Sequence, residues 1–155
     1  MPSTLQDRLA HIERQHPRSI DMGLERVREV AVRMGLGRPA KRVITVAGTN
    51  GKGSTVAFVE AIAGAAGLRV GAYTSPHLLA YNERVRIDGR DADDAALVEA
   101  FAEVEHARGG TPLTYFEFGT LAALSLFARS RLDLAVLEVG LGGRLDATNL
   151  VDADV

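Results

Sequence analysis

Residues 48 to 55 combine glycines, hydroxyl residues and one lysine, and they read Gly-Thr-Asn-Gly-Lys-Gly-Ser-Thr. An apolar run at 43–47 precedes this glycine loop, and a helical pattern opening at Val56 follows it. Glycines let the backbone turn tightly and approach a ligand, so several N–H groups and the positive end of a helix converge on one anion. Lys52 adds a positive charge. The pattern therefore indicates a site for a nucleotide phosphate.

The glycine loop departs from the common phosphate-loop pattern in its spacing. Two residues separate Gly48 from Gly51, and Gly53 follows Lys52 where a hydroxyl residue is usual. A turn whose glycines only relieve strain is the alternative, but strand, turn, lysine, hydroxyls and helix occur in the order that phosphate binding requires. The shifted spacing leaves open whether Ser54 or Thr55 supplies a hydroxyl near phosphate or metal.

A carboxylate stands near the end of a second apolar run, Leu134–Val139, at Glu138. Such a run is typical of a strand buried on both faces of a parallel sheet. A carboxylate at a strand end facing a phosphate loop suits Mg²⁺, which prefers oxygen ligands and retains several waters. An ion pair with Arg144 is the structural alternative. Ser75 and His77 follow another predicted strand, and chemistry alone favours a structural role for both.

Two other segments carry polar and aromatic groups beside predicted strands or helices. The loop at 140–149 contains glycines with Arg144 and Asp146, and an ordinary loop closed by that charged pair is its structural interpretation. The segment Thr-Tyr-Phe-Glu at 114–117 precedes a helix. We favour a helix cap with both rings in the core, and stacking of a flat aromatic ligand is the alternative.

The hydrophobic pattern predicts helices alternating with strands. Predicted helices carry the apolar sets Leu5, Leu9 and Ile12; Leu24, Val27, Ala31 and Met34; Val56, Val59, Ile62, Ala63 and Ala66; Leu97, Phe101 and Val104, capped by Asp93 or Asp94; and Phe118, Leu121, Ala122 and Ser125. Predicted strands cover 43–47, 70–73 and 134–139, with a short edge strand around Val85 and Ile87. This order is typical of an α/β fold with a doubly wound, mostly parallel sheet.

Ligands of such sheets bind at the carboxyl ends of the strands. Three loops fall at these ends: 48–55, 74–82 and 140–149. We expect the three loops to face one another.

Composition narrows the class of protein. The chain has 155 residues, about one domain, with 46% hydrophobic and 25% charged residues. The formal net charge is −2 and there is no basic tract, so we expect no nucleic-acid partner, and no apolar stretch is long enough for a membrane span. There is no cysteine, and Met1–Asp7 lacks the order of a secretory signal, which favours the cytoplasm.

Five motifs together resemble the folylpolyglutamate synthase and dihydrofolate synthase family of the Mur ligase superfamily. They occupy Ser19–Val27, Ile44–Thr55, Tyr73–Leu78, Thr114–Thr120 and Leu137–Asn149. The resemblance covers essentially the whole chain. It implies a P-loop NTPase-like fold, that of the Mur ligase central domain, in which the short glycine spacing is normal.

The resemblance also implies an ATP-dependent amide ligase that adds L-glutamate to dihydropteroate and to reduced folates through an acyl phosphate. The implied cofactors are ATP and Mg²⁺. ATP would be held by Thr49, Asn50, Gly51, Lys52, Gly53 and Ser54, with Lys52 as the catalytic residue, and Mg²⁺ by Ser75 and Glu138. The implied dihydropteroate pocket comprises Asp21, Met22, Gly23, Thr114, Tyr115, Phe116, Glu117, Leu145, Asp146 and Ala147.

Members of the family are much longer than this chain. We therefore expect residues 1–155 to be the N-terminal part of the ATP-binding ligase domain, without the glutamate-binding domain and without a histidine metal ligand and a modified lysine of the family. We expect weak or no ligation by these residues alone, small-molecule partners, and a monomer at full length. The alternatives are another Mur-type ligase acting on a cell-wall nucleotide peptide, and a non-catalytic nucleotide-binding remnant.

Overall fold

The computed structural model describes residues 4–15, 23–140 and 146–155. These residues form helices α1 (Leu5–Gln15), α2 (Glu25–Arg33), α3 (Lys52–Ala65), α4 (Asp94–Arg108) and α5 (Tyr115–Arg129). The strands are β1 (Ala40–Val46), β2 (Val70–Tyr73), β3 (Val85–Ile87), β4 (Arg90–Asp91) and β5 (Leu132–Glu138). Short 3-10 helices lie at Tyr81–Arg84 and Ala147–Leu150.

The strands form one five-stranded sheet in the order β1-β5-β2-β3-β4. β5 lies between β1 and β2 and runs parallel to both, whereas β3 and β4 extend the sheet by antiparallel pairing. The central position of β5 explains its continuous apolar sequence, and Ala135, Val136 and Leu137 are fully buried. The α/β class and the mostly parallel sheet are thus confirmed.

Helices cover the two faces of the sheet unequally. α5 packs on one face and is covered by α4, α1 and α2, which explains why every residue from Glu117 to Phe127 is buried. α3 packs on the other face, where Val56 and Ala63 join the apolar side chains of β2 and β5. A hydrophobic core therefore lies on each face, and the sheet separates the two cores.

The bounds and the buried face of α3 differ from the prediction. The helix begins at Lys52, four residues before the predicted start, because Gly51 adopts a left-handed backbone conformation with φ +76° and turns the chain into the first helical residue. The predicted apolar face is wrong at Ile62 and Ala66, which are exposed, Ile62 by 69%. Phe58 is also exposed, by 70%. A single helix on this face buries only the narrow stripe that touches the sheet.

Residues Asp154 and Val155 lie along the edge of β1 that faces away from β5. The N–H groups of both donate to the carbonyl of Val43, and the N–H of Thr45 donates to the carbonyl of Val155 at 2.9 Å. The carboxylate of Asp154 accepts from the N–H of Val43 at 2.8 Å and pairs with Arg38. The chain thus continues the hydrogen-bond ladder beyond β1.

Each helix in the described ranges is too short or too polar to span a membrane.

Candidate functional site

The three predicted loops meet at one edge of the sheet. β1, β2 and β5 are parallel, and their last residues lie side by side because Val46 pairs with Glu138 and Tyr73 with Leu137. A Cβ placed on Gly53 would lie 3.9 Å from Oε2 of Glu138, and one placed on Gly140 would lie 3.2 Å from Oγ of Ser75. For the residues that the structure describes, the prediction that these loops meet at one edge is confirmed.

The glycine loop presents the N-terminus of α3 to this edge. The first N–H groups of a helix have no partner within it, and Gly51 carries no side chain to cap them. These donors and the positive end of a 14-residue helix suit an anion. Ser54 and Thr55 are both exposed, but the hydroxyl of Thr55 already donates to the carbonyl of Gly51 at 3.0 Å. Ser54 is therefore the better placed of the two hydroxyls to meet a ligand.

Glu138 is a carboxylate with little access to water, and it lies beside the glycine loop. Its residue is 5% exposed, and its side chain accepts a hydrogen bond from the backbone N–H of Ser75. Burial raises the pKa of Glu138, while Lys52, the Ser75 N–H group and Arg86 act in the opposite direction. The site thus gathers a carboxylate, a lysine and a helix N-terminus.

Oxygen donors at this edge fit part of a magnesium site. Mg²⁺ in nucleotide sites is usually held by one or two carboxylates together with phosphates and waters. Glu138 is such a carboxylate, and Ser75 supplies a hydroxyl in the loop that contacts it. Within the described residues, no group of three or more histidine, aspartate or glutamate side chains forms a metal cluster. Arg144, the alternative partner of Glu138, lies outside the described residues.

Tyr115 and Phe116 open α5 at the same edge, and both are half-buried. Phe116 stacks on Tyr73 with ring centroids 5.9 Å apart, and Tyr115 meets Tyr81 edge-on at 6.1 Å. The favoured interpretation is confirmed in part, because both residues pack against the hydrophobic core but are only partly buried. A flat ligand stacking there is compatible with this exposure.

Thr114 and Glu117 hold the start of α5 in place. The hydroxyl of Thr114 accepts from the N–H of Glu117 at 3.1 Å, and the carboxylate of Glu117 accepts from the N–H of Thr114 at 2.8 Å. This reciprocal capping box is the predicted helix cap. Arg26 of α2 also donates to Glu117, at 3.1 Å. Thr114 and Glu117 thus orient the rings of Tyr115 and Phe116, which lie between them in the chain.

Asp146 closes the loop that follows β5. One of its carboxylate oxygens accepts from the N–H of Gly140, and the other accepts from the N–H and the hydroxyl of Thr148, each at 2.8 Å. Asp146 and Ala147 are buried, and Gly23 is half-buried just before α2. Asp21, Met22 and Leu145, the remaining predicted pterin residues, lie outside the described residues.

Two arginines near the site were not singled out by sequence reasoning. Arg84 donates through Nε to Nδ1 of His77 at 2.8 Å, and its guanidinium lies over the rings of Tyr81 and Tyr115. Arg86 of β3 forms an ion pair with Glu60 of α3 at 2.6 Å. The available signal was their alternation with Val85 and Ile87, which predicts both arginines on one face of a strand. In the structure only Arg86 lies in β3, and Arg84 ends the preceding 3-10 helix. The prediction of a short edge strand here is wrong, because β4 pairs with β3 on the side away from β2.

No protein-family model matches the chain. Over 153 residues, 99% of its length, it is 57% identical to the dihydrofolate synthase/folylpolyglutamate synthase of Escherichia coli strain K12, of which it covers 36%. The solved structure of E. coli FolC in complex with DHPP and ADP has a TM-score of 0.95 and 56% identity, covering 98% of this chain and 37% of that chain.

A solved bifunctional folylpolyglutamate synthase/dihydrofolate synthase with Mn, AMPPNP and L-glutamate bound has a TM-score of 0.94 and 56% identity, covering 98% of this chain and 37% of that chain. This chain therefore spans just over a third of the length of these relatives. The resemblance to the folylpolyglutamate synthase and dihydrofolate synthase family inferred from the five motifs is confirmed over nearly the whole of this chain.

Proposed function

We propose that the chain forms the ATP- and pterin-binding part of a ligase that joins L-glutamate to dihydropteroate and to reduced folates. The observation that carries the proposal is the convergence of Lys52, the N-terminus of α3 and Glu138 at one edge of the sheet. Relatives have been solved with ADP, and with AMPPNP and Mn, which supports a nucleotide and a divalent cation at this edge.

The proposed reaction has two steps. An oxygen of the substrate carboxylate attacks the γ-phosphorus of ATP, an O–P bond forms, and ADP leaves. The amino group of glutamate then attacks the acyl carbon, the amide bond forms, and phosphate and one proton are released. Charge is the main obstacle, because an anionic nucleophile approaches an anionic phosphate. Catalysis therefore depends on positive charge fixed in advance around the phosphates.

The residues of this chain contribute that charge and its placement. Lys52 and the first N–H groups of α3 neutralise phosphate oxygens, with Thr49, Asn50, Gly51 and Gly53 shaping the loop and Ser54 donating a hydroxyl. Glu138 and Ser75 would hold Mg²⁺, which when bound neutralises further phosphate charge. Burial keeps water from Glu138 and strengthens its interaction with a cation.

The pterin substrate is proposed to bind beside the phosphate site. The half-buried rings of Tyr115 and Phe116 offer a stacking surface, and both follow directly from the capping box that fixes α5. We place Asp21 to Gly23, Thr114 to Glu117 and Leu145 to Ala147 around this ligand. The E. coli FolC structure holds DHPP together with ADP, which supports a second small-molecule ligand beside the nucleotide.

Complete ligation is proposed for a longer polypeptide of which residues 1–155 are the N-terminal part. The chain covers 36% of the E. coli relative, so we expect it to bind nucleotide and pterin but to release little phosphate with glutamate. Glutamate-dependent phosphate release by the 155-residue chain at the rate of the longer relatives would contradict this expectation. A monomer at full length and a cytoplasmic location remain predictions from the sequence.

The nucleotide site is tested by calorimetric titration of the chain with AMPPNP in the presence of Mg²⁺, comparing Lys52→Ala with Lys41→Ala. Lys41 is an exposed lysine of β1 whose side chain pairs with Asp133 at 3.2 Å. We expect Lys52→Ala to weaken binding by at least about tenfold, equivalent to about 1.4 kcal/mol for a lost charge-assisted contact, and Lys41→Ala to leave it unchanged. Equal affinity in both variants would reject the site.

The substrate class is tested by a second titration with dihydropteroate and with a muramyl nucleotide. Binding of dihydropteroate alone supports the folate ligase, and binding of the muramyl nucleotide alone supports another Mur-type ligase. Neither ligand binding to a chain that binds AMPPNP would favour a nucleotide-binding remnant.

A further inference from the structure

Arg86 joins three parts of the chain that surround the proposed phosphate site. Its NH2 group donates to Oε1 of Glu60 at 2.6 Å, and Nε lies 3.2 Å from both carboxylate oxygens of Glu60. Its NH1 group donates to the hydroxyl of Thr74 at 3.2 Å and to the carbonyl of Glu83 at 2.9 Å. One guanidinium thus connects α3 with both ends of the segment 74–83.

The bond to Glu60 fixes the orientation of α3. Lys52, Val56 and Glu60 are spaced by four residues, so they lie along one stripe of the helix. Val56 is fully buried against the sheet, and Glu60 is held by Arg86 on β3. Rotation of α3 about its axis would break both contacts. The packing of Val56 and the Glu60–Arg86 pair therefore also fix the direction in which Lys52 leaves α3.

The other two bonds fix the loop that carries Ser75. Thr74 precedes Ser75, whose N–H group donates to Glu138. At the far end, the carboxylate of Glu83 accepts from the N–H groups of Leu78, Leu79 and Ala80 at 2.8 to 2.9 Å. Arg86 binds the carbonyl of that same Glu83. The loop is consequently tied at its beginning and at its end to one side chain.

The Arg86–Glu60 pair is largely shielded from solvent, which strengthens its hydrogen bonds. The Arg86 side chain is 22% exposed and that of Glu60 is 14% exposed. Partly buried charge-assisted bonds in a forked geometry are stronger and more directional than exposed ion pairs. Arginine suits this position because its planar guanidinium presents five N–H donors in fixed directions, whereas the three donors of a lysine ammonium group share one nitrogen and cannot reproduce that fork.

We propose that Arg86 is a positioning residue for the phosphate and metal site: by binding Glu60, Thr74 and Glu83 together, it holds Lys52 of α3 and the Ser75 loop at a fixed distance on either side of Glu138. This inference rests on the proposed nucleotide site. It assigns no contact between Arg86 and the nucleotide.

The positioning role is tested in the 155-residue chain with Arg86→Met, Arg86→Lys and Glu60→Gln. Amide hydrogen exchange is measured at Ser75, Leu78, Leu79 and Ala80, and calorimetry gives the affinity for AMPPNP with and without Mg²⁺. We expect Arg86→Met to accelerate exchange at these four amides by about tenfold while β5 stays protected. We also expect it to reduce the gain in affinity that Mg²⁺ provides by about tenfold, the effect typical of residues that orient metal ligands.

Arg86→Lys separates position from charge. If Arg86 acts by its fork, the lysine variant resembles Arg86→Met, and if charge alone matters, it behaves as wild type and overturns the proposal. Glu60→Gln removes the charge and one of the two acceptor oxygens of the same pair without a change on β3, and this variant provides the test if Arg86→Met does not fold.

The matched control is Arg108→Met. Arg108 pairs with Glu105 at 2.7 Å on α4, on the other face of the sheet, and its side chain is 13% exposed. We expect this variant to lose stability without a change in amide exchange at the four loop positions or in the gain of AMPPNP affinity that Mg²⁺ provides. If the four loop amides of Arg86→Met exchange at the wild-type rate, the positioning role is overturned. Absence of AMPPNP binding by the wild-type chain instead rejects the proposed function, and the exchange measurement still decides the role of Arg86.

Discussion

At the scale of a single residue, Glu138 is a buried carboxylate whose charge the fold compensates only in part. Its carboxylate is buried at the end of the central strand, and burial raises its pKa because the charged form loses hydration. One backbone N–H group and two nearby cations offset only part of that cost. A neutral side chain of the same shape would suit the folded chain as well or better.

We therefore predict that Glu138→Gln abolishes the effect of Mg²⁺ on AMPPNP affinity and leaves the urea midpoint equal or higher. Glutamine retains an acceptor for the Ser75 N–H group but carries no charge for a cation. Such an exchange of stability against function is common at binding sites. Calorimetry and urea unfolding measure the two effects, and an unchanged Mg²⁺ effect would remove Glu138 from the site.

Gly140 is required by the close approach of two loops. A Cβ at this position would lie 2.9 Å from the ring of Phe116 and 3.2 Å from Oγ of Ser75. We predict that Gly140→Ala lowers the free energy of unfolding by about 1–3 kcal/mol, the usual cost of overpacking, and weakens AMPPNP binding. Gly110→Ala is the control, because a Cβ there meets nothing within 4 Å, and its effect should stay within about 0.5 kcal/mol. Equal urea midpoints for both variants would contradict the packing argument.

At the scale of the element, the start of α5 couples a helix cap to the aromatic pair. Thr114 and Asp93 cap α5 and α4 with nearly the same backbone geometry, at ψ 162° and 163°, and each accepts from the N–H three residues on. We predict that Thr114→Ala and Asp93→Ala each cost about 1 kcal/mol in urea unfolding. Only Thr114→Ala should weaken dihydropteroate binding, because only this cap orients Tyr115 and Phe116. Equal loss of binding in both variants would show that stability alone is responsible.

α3 shows why an element can be found in the sequence while its surroundings cannot. Apolar spacing after a glycine turn predicts a helix, and a helix is present. The pattern does not report that Ile62 and Phe58 lie on sides of α3 without a neighbouring element. Nor does it report that Glu60 meets Arg86, since the two residues are 26 positions apart and their contact depends on the pairing of β2 with β3.

At the scale of the whole molecule, charged side chains connect the strands outside the core. Asp133 of β5 accepts from the N–H group of Arg69 at 2.8 Å and pairs with Lys41 of β1 at 3.2 Å. The Arg69 N–H group and Lys41 lower the pKa of Asp133. A lowered pKa means that the folded state binds the proton more weakly than the unfolded state. The stabilisation is therefore present above the unfolded pKa of about 3.9 and is lost as pH falls through the lower folded value.

We predict that the Tm of the chain falls as pH decreases below about 4, and that Asp133→Asn lowers the Tm at pH 7 but shows a flatter decline in acid. Asp152→Asn is the control, because Asp152 is exposed and forms no hydrogen bond or ion pair with the residues that the structure describes. Thermal unfolding between pH 3 and pH 7 measures both variants. Parallel curves for wild type and Asp133→Asn would contradict the assignment.

The sequence by itself determined the α/β class and the three loops that end at one edge of the sheet, and it predicted a phosphate site at Lys52. These depend on local spacing, on residue type and on the rule that parallel strands end at one edge. The tertiary structure decided the half-exposed position of Tyr115 and Phe116, the hydrogen bonds of Asp146 and Glu117 within the scaffold, and the contact of Arg86 with Glu60. The physical reason is that these properties arise from contacts between residues far apart in the chain, where several partners satisfy the same local pattern.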